Sequence, residues 1–104
     1  MKGRTIEIAV CYDTTVAPDL DDVARHAGMT PDEVIALHAG GSYVVHMIGF
    51  LPGFPYLDGL DPRLTIPRRA VPRTRVAAGS VAIGGQHTGI YPLESPGGWQ
   101  LIGR

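Results

Sequence analysis

The chain has 104 residues, of which 44% are hydrophobic, and a formal net charge of −1. This length allows one domain with a single core, and the hydrophobic content excludes a disordered chain. The near-neutral charge argues against a general affinity for nucleic acid, and the single cysteine, Cys11, excludes an internal disulfide and a Cys-x-x-Cys metal site. No apolar run suits a signal peptide or a membrane span, so we expect a cytoplasmic protein.

The chain begins with the pattern of one strand followed by two helices. Residues 5–12 alternate apolar and polar side chains, which predicts a half-buried strand. A first helix is predicted from an N-cap at Asp19 to a stop at Gly28. A second helix is predicted from a capping box that begins at Thr30 to a stop at Gly40.

The two helices also have the rhythm of a helix-turn-helix, whose second helix would enter the major groove of DNA. The start of that helix carries Asp32 and Glu33 and no basic residue, so its carboxylates would repel phosphates. We therefore interpret the pair as a helical hairpin packed on a sheet. Residues 42–50, which follow it, are apolar almost throughout, and this predicts a strand covered on both faces.

The loop over residues 49–64 combines glycines and prolines with large apolar side chains, which predicts an ordered loop. Two interpretations of these side chains stay open: they plug the core, or they form one wall of a pocket. The large side chains in question are Phe50, Leu51, Phe54 and Tyr56.

An arginine-rich segment follows, in which five of the nine basic residues lie between residues 63 and 75 without an acid among them. The planar guanidinium suits bidentate binding of a carboxylate or phosphate. The possible roles are a nucleic-acid patch, a site for a small anion, a surface for a protein partner, or a solvated edge of the fold. Because every base is an arginine, anion or partner binding is favoured. The five residues are Arg63, Arg68, Arg69, Arg73 and Arg75.

Short apolar stretches separated by glycine turns predict strands at residues 80–83, 88–91 and 99–102, and together a barrel or sandwich. The polar residues among these strands either serve turns and ladders or line a site; they are Ser80, Gln86, His87, Thr88 and Gln100. No Ser–His–Asp order, paired carboxylates or metal-ligand spacing is found. The remaining histidines are interpreted as packing or surface residues; they are His26, His38 and His46.

The sequence from residue 49 onward, "GFLPGFPYLDGLDPRLTIPRRAVPRTRVAAGSVAIGGQHTGIYPLESPGGWQLIGR", resembles without a gap the signature of a known family. This family comprises allophanate hydrolase subunit 1, KipI and the B-subunit of 5-oxoprolinase, with a carboxyltransferase domain of type C/D. The resemblance implies a mainly β, β-rich α+β fold, namely a closed, cyclophilin-like β-barrel with a short helical pair near the N-terminus.

The resemblance also implies a function. The chain would be one subunit, inactive alone, of an ATP-dependent 5-oxoprolinase that opens 5-oxoproline to glutamate, or of a related amide hydrolase. Its partners would be the homologous subunit 2, also called the C-subunit, and a third oxoprolinase subunit. Its substrate would be a small carboxylate, and ATP a co-substrate of the complex. The alternative is a KipI-like inhibitor that binds a histidine kinase. No metal, nucleic acid or membrane is expected as a ligand.

The resemblance can be carried over to individual positions, although it leaves the catalytic residues unidentified. The implied substrate- or anion-binding residues are Arg63, Arg68, Arg73, Arg75, Ser80, Thr88 and Gln100, with Arg104 near them. The implied pocket wall consists of Phe50, Pro52, Gly53, Phe54, Tyr56, Gly89 and Tyr91.

The chain departs from the family pattern in two respects. Family members usually carry an α/β domain ahead of the barrel and further strands after it. We therefore interpret residues 1–104 as a single barrel domain that lacks the preceding α/β domain and the last strands of the family. The barrel is then incomplete at its C-terminal end, and its last strand, residues 99–102, offers an unpaired edge. His87 stands where the family commonly has glutamine, so the amide side chain is missing at that position.

Overall fold

The computed structural model describes residues 8–48 and 55–104. Within them, the α-helices are α1 (Leu20–Ala27) and α2 (Pro31–Ala39), which agrees with the predicted helical hairpin. Gly28 ends α1 in the left-handed conformation with φ 71°, which glycine adopts without steric cost. Thr30 and Glu33 form the predicted capping box, because each side chain accepts a hydrogen bond from the backbone N–H of the other residue.

The described part of the chain contains seven short strands and one 3-10 turn, so the fold is mainly β with two helices. The strands are β1 (Val44–Ile48), β2 (Pro55–Asp58), β3 (Arg73–Val76), β4 (Val81–Gly84), β5 (His87–Ile90), β6 (Ser95–Gly97) and β7 (Gln100–Gly103). Five of them form an antiparallel sheet in the order β1-β2-β5-β4-β7, and β3 pairs with β6 in a separate ribbon. The predicted strands at 80–83, 88–91 and 99–102 are confirmed to within one residue.

The sheet has a hydrophobic core on each face, which explains why β4 and β7 are buried along their whole length. On one face, Val81 and Ile83 pack against the helical pair and the 3-10 turn (Pro62–Leu64). Side chains alternate along a strand, so Ala82 points to the other face. There it joins a second cluster with Tyr91 and Trp99, which also includes Val76 of the ribbon.

The predicted closed barrel is wrong for the described residues, because the sheet stays open with β1 and β7 at opposite edges. The outer edge of β7 is paired with the N-terminal segment instead. Leu101 accepts a hydrogen bond from the backbone N–H of Asp19 at 2.9 Å, and Arg104 exchanges two backbone hydrogen bonds with Cys11 at 2.8 and 2.9 Å. The prediction of an unpaired edge on the last strand is therefore also wrong.

The strand predicted at residues 5–12 is described only from residue 8 onward, and there Cys11 supplies the backbone contact to Arg104. Of the predicted pocket wall, Phe50, Pro52, Gly53 and Phe54 lie outside the described residues, as does Leu51.

Candidate functional site

A buried carboxylate organises the arginine-rich segment. Asp19 is 1% exposed and accepts four hydrogen bonds. Arg73 binds it with both terminal nitrogens, at 2.6 Å to Oδ2 and 2.9 Å to Oδ1. Arg69 donates to Oδ1 at 3.0 Å, and the backbone N–H of Leu101 donates to Oδ2 at 2.7 Å. Two oxygens with four donors have no capacity left, so Asp19 joins the start of α1, the arginine segment and β7.

The charge of Asp19 is stabilised in this position. Desolvation raises the pKa of Asp19, but the hydrogen bonds from Arg73 and Leu101 and the charges of Arg73 and Arg69 outweigh it, so the pKa lies below its ordinary value. The hydrogen bond to Asp19 raises the pKa of Arg73 in turn. Asp19 is the N-cap residue of α1, as predicted, but its side chain makes no cap hydrogen bond to the helix. Its carboxylate binds the arginines instead.

Two further arginines pair with acids at the surface. Arg63 binds Asp61 through Nε at 3.0 Å and Nη2 at 2.9 Å, and these hydrogen bonds lower the pKa of Asp61 to about 2. Arg75 meets Glu94 at 2.8 Å, with both side chains largely exposed. Exposed ion pairs such as these add little stability. Four of the five arginines therefore have a carboxylate partner within the chain.

Arg68 is the remaining arginine, and it lies over an aromatic ring. Its Cζ is 5.9 Å from the centroid of the buried Trp99 ring, within the range of a cation–π contact. The backbone on both sides of Arg68 is held to the segment around Trp99. Gln100 Nε2 donates to the carbonyl of Pro67 at 3.1 Å, and the N–H of Arg69 donates to the carbonyl of Gly98 at 2.6 Å.

Arg68 and Trp99 border a surface depression of about 230 Å³. The other lining residues are Pro72, Pro96, Gly97 and Gly98. The shape depends on the glycines, because a Cβ built on Gly97 would lie 2.0 Å from the hydroxyl of Tyr91. Trp99 is fixed from below by Gly84, where a Cβ would lie 2.6 Å from the indole ring. The depression is thus a preformed, mostly apolar hollow with one guanidinium at its edge.

A second polar cluster lies between α2 and the sheet. His38, which is 5% exposed, contacts the hydroxyl of Tyr12 through Nδ1 at 2.8 Å and Thr88 Oγ1 through Nε2 at 2.9 Å. Thr88 donates its own proton to the carbonyl of Ala82 at 2.7 Å. Its oxygen must therefore accept from His38 Nε2–H, and Nδ1 accepts from Tyr12. This pattern assigns a neutral His38 with the proton on Nε2.

Burial has large effects on the ionisation of this cluster. Desolvation lowers the pKa of His38 from 6.5 to about 4. Desolvation also raises the pKa of Tyr43, whose hydroxyl donates to the His38 carbonyl at 2.6 Å, to about 12, with smaller contributions from Tyr12 and Asp61. The interpretation of His38 as a packing residue is correct, because its side chain is buried, but the sequence did not indicate its hydrogen bonds to Tyr12 and Thr88.

The remaining predicted site residues that the structure describes lie at different places in the fold. Thr88 is buried in β5, Ser80 and Tyr91 are buried directly beside β4 and β5, and Gly89 pairs with Ala82 and Tyr56. Arg104 is exposed beside Cys11. Of the predicted residues that the structure describes, only Arg68 lines the depression, and Gln100 supports it from one side. Binding roles for the others stay predictions.

The depression itself was not anticipated from the sequence. Its walls come from the stretch "SPGGW", in which two glycines precede the one tryptophan of the chain. Two small residues beside a large aromatic one are a signal of a close backbone approach, and this signal could have located the site.

No helix among the described residues is long and apolar enough to cross a lipid bilayer. Over residues 8–48 and 55–104, no group of three or more histidine, cysteine or acidic side chains is placed to hold a metal ion.

Comparison with known proteins identifies the family to which this open sheet with its helical pair belongs. The chain is a member of the carboxyltransferase domain family, subdomain C and D, and the match covers residues 1–104. The resemblance recognised in the sequence is therefore confirmed.

Two curated relatives have names that are more specific than the family description. The chain is 58% identical over 102 residues to the 5-oxoprolinase B-subunit of Haemophilus influenzae, a match that covers 98% of this chain and 48% of the relative. It is 52% identical over 101 residues to the 5-oxoprolinase B-subunit of Bacillus subtilis, a match that covers 97% of this chain and 42% of the relative. The chain thus spans about half the length of these curated relatives.

A solved structure shares the fold. The crystal structure of the conserved uncharacterized protein PH0987 from Pyrococcus horikoshii matches with a TM-score of 0.90 and 50% sequence identity. The match covers 95% of this chain and 46% of that structure. These names do not support the alternative of a histidine-kinase inhibitor.

Proposed function

We propose that this chain is part of the B-subunit of a 5-oxoprolinase and acts, together with partner subunits, in the ATP-dependent opening of 5-oxoproline to glutamate. The observation that carries the proposal is the identity of 52–58% to proteins of that name, spread over 97–98% of the chain.

The reaction adds water across the lactam C–N bond, and hydrolysis of ATP to ADP and phosphate drives it. We assign ATP to the complex as a co-substrate. Within the described residues, His38 has both ring nitrogens engaged by side chains of this chain, so it is not available as a general base. We propose that the chain is inactive alone. It would contribute to a site completed by a homologous partner, the C-subunit, and by a third subunit.

The substrate is a small carboxylate, and the arginine-rich segment is chemically suited to it. Guanidinium groups bind carboxylates through two parallel hydrogen bonds. We also propose that the complex works in the cytoplasm, a proposal supported by the exposed, unpaired thiol of Cys11, which suits a reducing compartment. The cyclophilin-like arrangement that the resemblance implies for residues 1–104 stays a prediction.

The proposal is tested by reconstituting the complex from the full-length protein and its partners. Glutamate formation from 5-oxoproline and ATP is measured with this protein present, omitted and added back. We expect turnover only when it is present, with no turnover by this protein alone. Equal turnover without it would overturn the proposed function. Omission of ATP serves as the control for non-enzymatic lactam opening.

A further inference from the structure

Arg68 differs from the other arginines of its segment in its electrostatic environment. Arg63 pairs with Asp61, Arg69 and Arg73 share Asp19, and Arg75 pairs with Glu94. Arg68 has no ion pair or hydrogen bond from its guanidinium within residues 8–48 and 55–104; its recorded contact is the ring of Trp99. Its N–H donors therefore remain available to a ligand, and an arginine carries five of them.

Arg68 is held in place without being neutralised. Hydrogen bonds fix the backbone of Pro67 and Arg69 to Gln100 and Gly98, on either side of it. The ring beneath is buried at 2% exposure. A guanidinium positioned in this way loses less conformational freedom on binding than a mobile surface arginine, and preorganisation of this kind favours affinity.

The depression beside Arg68 has the size and charge for a small organic anion. Its volume of about 230 Å³ is below the roughly 300–1,000 Å³ of sites for drug-sized ligands, so a small metabolite suits it. Pro72 and Pro96 offer apolar walls for a compact ring. The nearby pair Arg69 and Arg73 has two positive charges against the single negative charge of Asp19, so the segment keeps a net positive charge that attracts anions.

We propose that the Arg68–Trp99 depression is a binding site for the carboxylate of a small carboxylic acid, held bidentately by the Arg68 guanidinium. The identification of the acid as 5-oxoproline, with its ring against the proline walls, rests on the proposed function. Asp19 is a positioning residue in this site. It binds Arg69 and Arg73, so these two do not compete with Arg68 for the carboxylate, and it holds in place the segment that carries Arg68.

The direct test is calorimetric titration of the full-length protein with three compounds. These are 5-oxoproline, 2-pyrrolidinone, which has the ring without the carboxylate, and inorganic phosphate. We expect 5-oxoproline to bind and 2-pyrrolidinone to bind at least tenfold more weakly. Equal binding of the two would overturn the carboxylate site. Binding of phosphate at Arg68 without binding of 5-oxoproline would also overturn it, since it would identify a phosphate site.

Substitutions assign the binding to Arg68. Arg68→Lys keeps the charge but loses the planar fork, and we expect a ten- to hundredfold weaker affinity, since a hydrogen bond to a charged group is worth about 1.5–3 kcal/mol. Arg25→Lys, in an exposed pair with Asp22 on α1, is the matched control and should bind within twofold of the unchanged protein. Unchanged affinity in Arg68→Lys would overturn the proposal. Because Arg68 is exposed, both variants should fold, which the melting temperature verifies.

The failure of this inference is distinguishable from failure of the proposed function. If the complex opens 5-oxoproline and Arg68→Lys has the unchanged KM, the site is refuted while the function stands. If the complex does not open 5-oxoproline, the titration is repeated with acetate and glutamate. Carboxylate binding that is lost in Arg68→Lys then supports the site, and binding that persists in Arg68→Lys, or no binding at all, overturns it.

Discussion

Protonation of His38 should destabilise the fold as the pH falls below neutrality. The folded protein holds His38 neutral, between Tyr12 and Thr88, with a pKa lowered to about 4. In the unfolded chain the same imidazole has a pKa near 6.5. The unfolded state therefore binds a proton first on acidification. The contribution of His38 to the free energy of unfolding is constant well above pH 6.5 and decreases between pH 6.5 and 4. Below pH 4 this residue causes no further loss.

The size of the effect follows from these two pKa values. The difference of about 2.5 units corresponds to a maximum of about 3 kcal/mol, at 1.36 kcal/mol per unit. Between pH 7 and 5 the loss amounts to about 2 kcal/mol. Asp19 does not interfere in this interval, because its pKa is lowered and its stabilising charge is lost only at more acidic pH. An effect of this size is a large fraction of the 5–15 kcal/mol stability of a typical domain.

The assay is urea denaturation at pH 7, 6 and 5, followed by circular dichroism, of the unchanged protein and of His38→Gln. The glutamine cannot take up the proton. The stability loss of His38→Gln between pH 7 and 5 should therefore be about 2 kcal/mol smaller than that of the unchanged protein. His26→Gln, at an exposed position on α1, should behave like the unchanged protein. An equal loss of stability in the unchanged protein and in His38→Gln would show that protonation of His38 does not cause the pH dependence.

Two further predictions concern the region around the depression. Asp19→Asn should lower the free energy of unfolding by about 3–5 kcal/mol, because it leaves two partly buried guanidinium groups without their charge partner. The control Asp21→Asn, at an exposed position, should lower it by less than about 1 kcal/mol. Equal effects of the two substitutions in urea denaturation would contradict the role of Asp19. Gly97→Ala should lower the free energy of unfolding by about 1–3 kcal/mol, because its Cβ would lie 2.0 Å from the Tyr91 hydroxyl. Gly98→Ala should be tolerated, because the atom nearest to its Cβ would lie 3.6 Å away. Equal melting temperatures for the two variants would contradict the described packing.

The helices could be predicted from the sequence because their signals are local. The capping box needs only Thr30 and Glu33, three residues apart, and the stop of α1 needs only Gly28. The strands β4, β5 and β7 were equally accessible, since glycine turns separate these short apolar stretches, whereas β6 (Ser95–Gly97) was not predicted. The open sheet was not, because closure depends on which strand lies beside β7. Backbone hydrogen bonds from Cys11 and Asp19, more than 80 residues away in the chain, decide this.

The role of Asp19 shows why the site could be predicted only in part. From the sequence, an aspartate before an apolar stripe is an N-cap. Its observed partners, Arg69 and Arg73, lie 50 and 54 residues further along the chain, and no local pattern joins them to it. Ion pairs with Asp19, Asp61 and Glu94 engage four of the five arginines and leave Arg68 beside the depression. Composition identified the segment, but only the tertiary structure distinguishes Arg68.

The most direct test of this account is the KM for 5-oxoproline of the reconstituted complex, measured at saturating ATP with Arg68→Lys and with the control Arg25→Lys. We expect KM to rise ten- to hundredfold in Arg68→Lys, while the KM of Arg25→Lys and the melting temperatures of both variants stay unchanged. A KM in Arg68→Lys equal to that of the unchanged complex would contradict it.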